Sequence, residues 1–232
     1  MRISGATVDA EVSPHAAREH RDVSTPLELA GEVQERGVRD QRVLAAIRAV
    51  PRCDFVPPHH AAIAYCDEPV PISHGQVTTQ PSLSGRMIEG LRLAGDEHVL
   101  EIGTGLGFQT ALLAMLAADV VSIERWADMV AQARRNLAGR GIRNVRLLVG
   151  DGSLGAPELA PFDGILVSAA YPEVPPPLVE QLRIGGRLVQ PVGQGGNDVV
   201  VAFERTAHGL EPREELTLAR FVRLFGRYGF PG

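Results

Sequence analysis

Apolar and polar positions divide the chain into stretches of different period. Residues 1–23 are polar, Ala-rich and aperiodic, which predicts a disordered tail. From Ser24 the spacing becomes helical. Thr25 as cap, Pro26 at the first helical position and Glu28 three residues beyond the cap open an amphipathic helix that Gly37 stops. Asp40 caps a second helix, with Val43, Leu44, Ile47 and Val50 on its apolar face and Pro51 at its end. These two short helices cannot bury their own apolar faces and must pack on something larger. A third, in "SLSGRMIEGLRLAG", puts Leu83, Met87 and Leu91 on one side. Residues 24–93 therefore form a helical segment with one charge-free loop, "PISHGQVTTQP", ahead of the third helix.

Over residues 94–232 the pattern alternates. "HVLEIG", "DVVSIE", "VRLLVG" and "FDGILVSA" have the length and apolarity of buried strands, and "FQTALLAMLA", "ADMVAQARRNLAGRG" and "PPLVEQLRIGG" of helices. "RLVQPVG" and "DVVVAFERT" follow each other with no helix between, and "LTLARFVRLFG" is a further candidate strand. Alternation of this kind defines an α/β fold with a doubly wound, Rossmann-like sheet, mostly parallel, with helices on both faces. Strands joined without a helix give it an antiparallel edge.

Composition narrows the function. The chain has 232 residues, 44% of them hydrophobic and 22% charged, enough for one large domain with a helical attachment. Its net charge is −5 and its arginines are interspersed with acids, so no basic field exists to hold nucleic acid or an anionic membrane. No apolar run approaches the roughly 20 residues of a membrane helix, and the N-terminus lacks the apolar core of a signal peptide. Cys53 and Cys66 fit no C-x-x-C or zinc spacing and read as reduced thiols, with no metal site. A cytoplasmic monomer is the expectation.

The strongest chemical signal is "VLEIGTGLGFQT". Gly103, Gly105 and Gly107 fall where the first strand turns into a helix, where glycine lets the backbone approach a ligand closely. The dinucleotide fingerprint would need its last glycine at Phe108. Glu101, two residues ahead of the glycines, also disfavours a pyrophosphate and favours a ligand with an ammonium or sulfonium. Glu124 ends the next strand, about twenty residues on, where a carboxylate accepts both ribose hydroxyls. Asp151 and Gly152, in "VGDG", end the third strand and supply a polar loop for a base. With Thr104 and Gln109 at the glycine turn, this set describes a site for S-adenosyl-L-methionine. Trp126 either touches the adenine or packs its helix. Phe221, Phe225, Tyr228 and Phe230 read most simply as core or edge packing.

From about Gly37 to about Gly226 the chain resembles the protein-L-isoaspartate O-methyltransferases. "RVLAAIRAVPRCDFVP", the glycine segment, "VGDG", "PFDGILVSAA", "PEVPPPLVEQL" and "GGRLVQPVG" occur in that family's order. The resemblance implies a class I methyltransferase sheet and methyl transfer to L-isoaspartyl residues of damaged proteins or peptides, a repair reaction. The family usually reads H-G-Q-T-I-S-Q-P where this chain has His74, Gly75, Gln76, Val77, Thr78, Thr79, Gln80 and Pro81. The family's active-site serine falls on Thr79, its threonine on Val77, and its apolar residue on Thr78. By resemblance, Thr79 is catalytic with Thr78 assisting, and His74, Gln76, Val77, Ser168 and Ala169 meet the substrate.

Physically, an ionised carboxylate attacking a sulfonium methyl needs no strong base. It needs its oxygen held in line with the departing sulfur, with water excluded. A hydroxyl and backbone N–H groups hold it without blunting its nucleophilicity as a cation would. Two other readings stay open: an aspartate-directed enzyme tailoring a ribosomally made peptide, motivated by Val77-Thr78-Thr79, and a non-catalytic binder of isoaspartyl chains.

Overall fold

The computed structural model describes residues 24–232; the expectation for the first 23 lies outside them. The N-terminal helices start on the caps that the sequence provides. In α1 (Pro26–Glu35) the Thr25 hydroxyl accepts from Glu28 N at 3.3 Å, but the Glu28 carboxylate returns to Ser24 N at 2.9 Å, so the box closes one residue early. In α2 (Gln41–Ala49) Asp40 accepts from Arg42 N at 2.7 Å. The third helix, α3 (Pro81–Leu91), begins directly after the uncharged loop. Leu29, Val33, Leu44, Ile47 and Met87 are fully buried in one apolar cluster with Leu112 and Leu113, which is what two short amphipathic helices required.

Seven strands follow: β1 (His98–Ile102), β2 (Asp119–Glu124), β3 (Val145–Val149), β4 (Phe162–Val167), β5 (Leu182–Val192), β6 (Asp198–Thr206) and β7 (Gly209–Ala219). Between them lie α4 (Phe108–Leu116), α5 (Ala127–Gly139) and α6 (Pro176–Gln181). The sheet order is β3-β2-β1-β4-β5-β6-β7, parallel as far as β5 and antiparallel across β5-β6-β7. That is the expected doubly wound sheet with its antiparallel edge.

Side chains alternate between two cores, as the period of two requires. Val99, Val120, Leu166 and Val189 enter the cluster beneath α2, α3 and α4; Leu100, Val121, Ile165 and Leu188 enter the other, with Leu178 of α6. Glu101 and Ser122 are register partners on β1 and β2, so these two polar residues point to the same side as Val99 and Val120.

Two expected elements differ. The helix read over "PPLVEQLRIGG" stops at Gln181, and Leu182 already pairs with Phe162 in the sheet. A β-carbon on Gly186 would lie 2.8 Å from Asp163 O, so a glycine is what lets β5 run against β4 there. The last strand starts earlier than "LTLARFVRLFG", at Gly209, and ends at Ala219. Residues 220–230 leave the sheet, with Arg223 bridged to Ala170 and Phe230 to Phe225.

Candidate active site

The chain order reverses between β1 and β4, and a crevice opens beyond their C-terminal ends. The glycine turn forms its floor. Gly103, Gly105 and Gly107 have φ of +98°, +56° and +96°, which residues with a β-carbon rarely adopt. A β-carbon on Gly103 would also come within 3.3 Å of Ser168 Cβ, so this turn passes close under the end of β4.

The cleft and its open mouth together span about 900 Å³ of space free of protein atoms. Of the expected residues, Gly103, Thr104, Gly105, Gln109, Glu124 and Gly152 line it from the sheet. Gln76, Val77, Thr78 and Thr79 line it from the loop, and Ser168 and Ala169 from the end of β4. His74, Glu101 and Asp151 are not in its wall.

Glu101 is fully buried behind that wall. Its carboxyl accepts from Thr110 Oγ1 at 2.5 Å, Ser122 Oγ at 2.6 Å and Gln109 Nε2 at 3.2 Å. Ser122 spends its proton on Glu101, so Thr104 Oγ1, 2.6 Å away, donates to Ser122. The expected direct contact between Glu101 and a ligand cation is therefore replaced by a relay: Glu101 orients Gln109 and Thr104, and these face the cleft. Burial pushes the Glu101 carboxyl up to about 7 against the hydrogen bonds that lower it.

A carboxyl raised in the folded state contributes a penalty that is absent below its unfolded pKa, grows between about 4.5 and 7, and is complete above 7. Wild type should thus lose up to about 3 kcal/mol relative to Glu101→Gln on going from pH 4.5 to pH 7.5. Urea denaturation of both proteins across that range measures it; parallel pH profiles would refute it.

Glu124 does reach the cleft. Oε2 accepts from Gly105 N at 3.1 Å and Oε1 from Trp126 N at 3.2 Å, which ties the glycine turn to the end of β2. Burial raises its pKa, opposed by those backbone N–H groups. Asp151 departs from expectation. Its carboxylate accepts from Ser153 N, Ser153 Oγ and Arg227 N at 2.9, 2.7 and 2.7 Å, so it fastens the C-terminal loop and stands outside the cleft wall. Burial would raise it, but the Arg227 N–H and Ser153 bonds win and hold it below the usual range.

The two threonines have opposite roles. Thr78 Oγ1 accepts from Arg52 Nη2 at 2.8 Å and from Val70 N at 3.0 Å. These bonds bolt the loop down, and Thr78 still lines the cleft. Thr79 lines the cleft, and among the described residues no protein group hydrogen-bonds its hydroxyl.

Sequence reasoning missed Arg52, Phe55, Ser84, Arg223 and Phe225. Arg52 is completely buried and Ser84 has an unpartnered hydroxyl in the cleft wall. Phe225, read as packing, lines the cleft because the chain after β7 folds back over it. The run "PRCDF" carried a faint signal for Arg52: an arginine between apolar anchors is buried only if its donors are needed. Cys53 and Cys66 are not joined by a disulfide.

A doubly wound sheet with a glycine turn at its switch point and an antiparallel end defines a class I methyltransferase fold. A solved protein-L-isoaspartate O-methyltransferase superimposes with a TM-score of 0.78 at 28% identity, over 88% of this chain and 67% of that one. A Plasmodium falciparum β-aspartate methyltransferase in complex with S-adenosyl-L-homocysteine has the same fold, with a TM-score of 0.74 at 22% identity over 87% of this chain and 98% of its own. The family model for protein-L-isoaspartate (D-aspartate) O-methyltransferase matches residues 26–229, and the chain belongs to that family. A protein-L-isoaspartate O-methyltransferase of Anaeromyxobacter dehalogenans strain 2CP-C is 52% identical over 199 residues, covering 85% of this chain and 95% of the relative. One from Methanoregula boonei is 48% identical over 219 residues, covering 94% and 98%.

Proposed function

We propose that this chain transfers a methyl group from S-adenosyl-L-methionine to the free carboxylate of L-isoaspartyl residues in damaged proteins or peptides. The observation that carries the reading is the convergence, at one strand-order reversal, of a glycine turn and Glu124 beneath an uncharged loop that presents the Thr79 hydroxyl.

The residues present fit a cationic adenosyl ligand. Gln109 Oε1 and Trp126 Nε1 belong to cleft-lining residues and are buried without a partner. The glycine turn lets the backbone reach a ligand, and Glu124 places a carboxylate in the cleft wall beside it. When bound, the cofactor supplies an electrophilic methyl on sulfur. Glu124 would hold the ribose with its remaining lone pairs, Gln109 Oε1 would take the ammonium, and Gly152 would bring the end of β3 beside the base. A β-carbon on Gly152 would sit 2.3 Å from Ile102 Cγ2. Thr79 donates to the substrate carboxylate and holds one oxygen toward the methyl, while Phe55, Phe108 and Val77 keep water out.

The substrate chain enters along a second, open groove that meets the cleft at Val77, Thr78, Thr79 and Ser168. Leu83 and Arg86 of α3 form one side of it, Leu218 and Phe221 the other. The Val77-Thr78-Thr79 run motivated a dedicated peptide client, and of its three residues Thr78 is engaged by Arg52.

The test is methyl transfer from labelled cofactor to matched isoaspartyl and aspartyl peptides, with label expected on the isoaspartyl peptide alone. Equal, negligible labelling of both would remove the repair reading. Replacing Glu124 by alanine should weaken cofactor-product binding roughly 10–100-fold, since it removes charged hydrogen bonds and frees the Gly105 turn. Calorimetry reads this directly, and unchanged affinity would take Glu124 out of the cofactor site.

A further inference from the structure

We propose that His74 is a latch: it clips the threonine loop onto Trp126 and Asp128 at the start of α5, so that opening of the loop and loosening of the adenosine end of the cleft are one motion. The proposal rests on the reading of this cleft as the cofactor site.

His74 was expected to touch substrate, but it lies outside the cleft wall. Its imidazole stacks on the Trp126 indole with ring centres 3.9 Å apart and planes 3° from parallel. Its Nε2 stands 2.9 Å from both carboxylate oxygens of Asp128. The backbone at His74 is left-handed, with φ +59°, a conformation that costs a residue with a β-carbon free energy and persists only where contacts hold it. Its side-chain contacts lie on the other bank of the cleft, some fifty residues along the chain, and add to the local bond from the Gln76 amide to His74 O.

The turn that carries His74 moves as a unit. Ile72 N donates to Gln76 O at 2.9 Å, Gln76 N to Ser73 O at 3.1 Å, and the Gln76 amide to His74 O at 3.2 Å. Ile72 and Gln76 both line the cleft, and Ile72 Cδ1 would lie 3.7 Å from a β-carbon on Gly105. Displacing the imidazole therefore shifts the roof over the glycine turn. Trp126 is the matching half on the other bank. It lines the cleft, its Nε1 is buried without a partner, and one face is already taken by His74, so that face is closed to an adenine.

The strength of the latch suits repeated opening. The Asp128 side chain is 62% exposed and that of His74 31%, so water competes for the hydrogen bond between them. Each turnover requires the demethylated cofactor to leave, and a deeply buried clasp would trap it. Thr78, by contrast, is tied to buried Arg52, so the loop has one fixed end and one releasable end.

The chain has a single tryptophan, so its emission reports on this stack. Stopped-flow fluorescence of wild type, His74→Asn, His74→Phe and Asp128→Asn, each loaded with S-adenosyl-L-homocysteine, tests the proposal. Asparagine tolerates the left-handed backbone and removes the ring; phenylalanine keeps a stacked ring and loses the hydrogen bond. The product should dissociate roughly three- to tenfold faster from His74→Asn, with Trp126 emission altered before ligand is added. His74→Phe and Asp128→Asn should lie between it and wild type. Dissociation from His74→Asn at the wild-type rate would overturn the latch. Wild type that binds no S-adenosyl-L-homocysteine by calorimetry would instead overturn the cofactor reading beneath it.

Discussion

Arg52→Ala should destabilise the protein by about 3–5 kcal/mol and cut turnover even in the fraction that remains folded. The guanidinium is fully buried and, among the described residues, has no carboxylate in hydrogen-bond contact. It donates from Nη1 to Ala64 O at 3.2 Å and Cys66 O at 2.9 Å, and from Nη2 to Glu68 O at 2.8 Å and Thr78 Oγ1 at 2.8 Å. Desolvation lowers its pKa to about 10, with Asp67 opposing, so the group stays charged at neutral pH. Alanine removes four donated bonds from a site closed to bulk water, and a buried carbonyl that loses its donor costs about 1–3 kcal/mol before the loop relaxes. Relaxation means release of residues 64–68 and of the Thr78–Thr79 segment, which is why turnover falls too. Arg52→Lys keeps the charge, but one ammonium cannot span both sets of acceptors. It should recover only part of the loss. Urea denaturation and kcat on an isoaspartyl peptide measure the two effects; an Arg52→Ala protein of wild-type stability would show that the carbonyl cluster is satisfied without it.

Thr79→Ala should lower kcat by roughly 10–100-fold and leave S-adenosyl-L-homocysteine affinity within about twofold of wild type. One hydrogen bond from a hydroxyl to a charged oxygen is worth about 1.5–3 kcal/mol, and it counts toward kcat only if it holds the carboxylate in line with sulfur. Thr79 meets the structural condition, since it lines the cleft and its hydroxyl is not consumed by the protein. Thr79→Ser retains the hydroxyl, loses a methyl and should keep or raise activity. Thr78→Val is the contrast: it removes the acceptor of Arg52 Nη2 and Val70 N, and so should cost stability, about 1–3 kcal/mol, before it costs chemistry. A Thr79→Ala enzyme working at full rate would show that the hydroxyl takes no part.

Much of this architecture was legible along the chain. Caps at Thr25 and Asp40, the alternation of apolar strands with amphipathic helices, and glycines at the end of β1 are local signals, because caps, periods and positive φ depend on a few neighbouring residues. Where local signals conflicted, the reading slipped. "LVEQLRIGG" has a helical apolar spacing as far as Leu182, but pairing of Leu182 with Phe162 pulls it into the sheet.

The sequence by itself determined the parallel sheet, its antiparallel edge and the place where the cleft opens, since each follows from order and period. Only the tertiary structure decided which groups face that cleft. Thr78 and Thr79 are adjacent, yet Arg52, 26 residues away, takes one hydroxyl and leaves the other. Asp151 is tied to the C-terminal loop because Arg227, 76 residues on, offers it a backbone N–H. Glu101 sank behind Gln109 because β1 and β2 pair it with Ser122 across 21 residues. The cause is the same in all three: a polar side chain goes to whichever partner satisfies it at burial, and that partner comes from a distant segment that no local pattern announces.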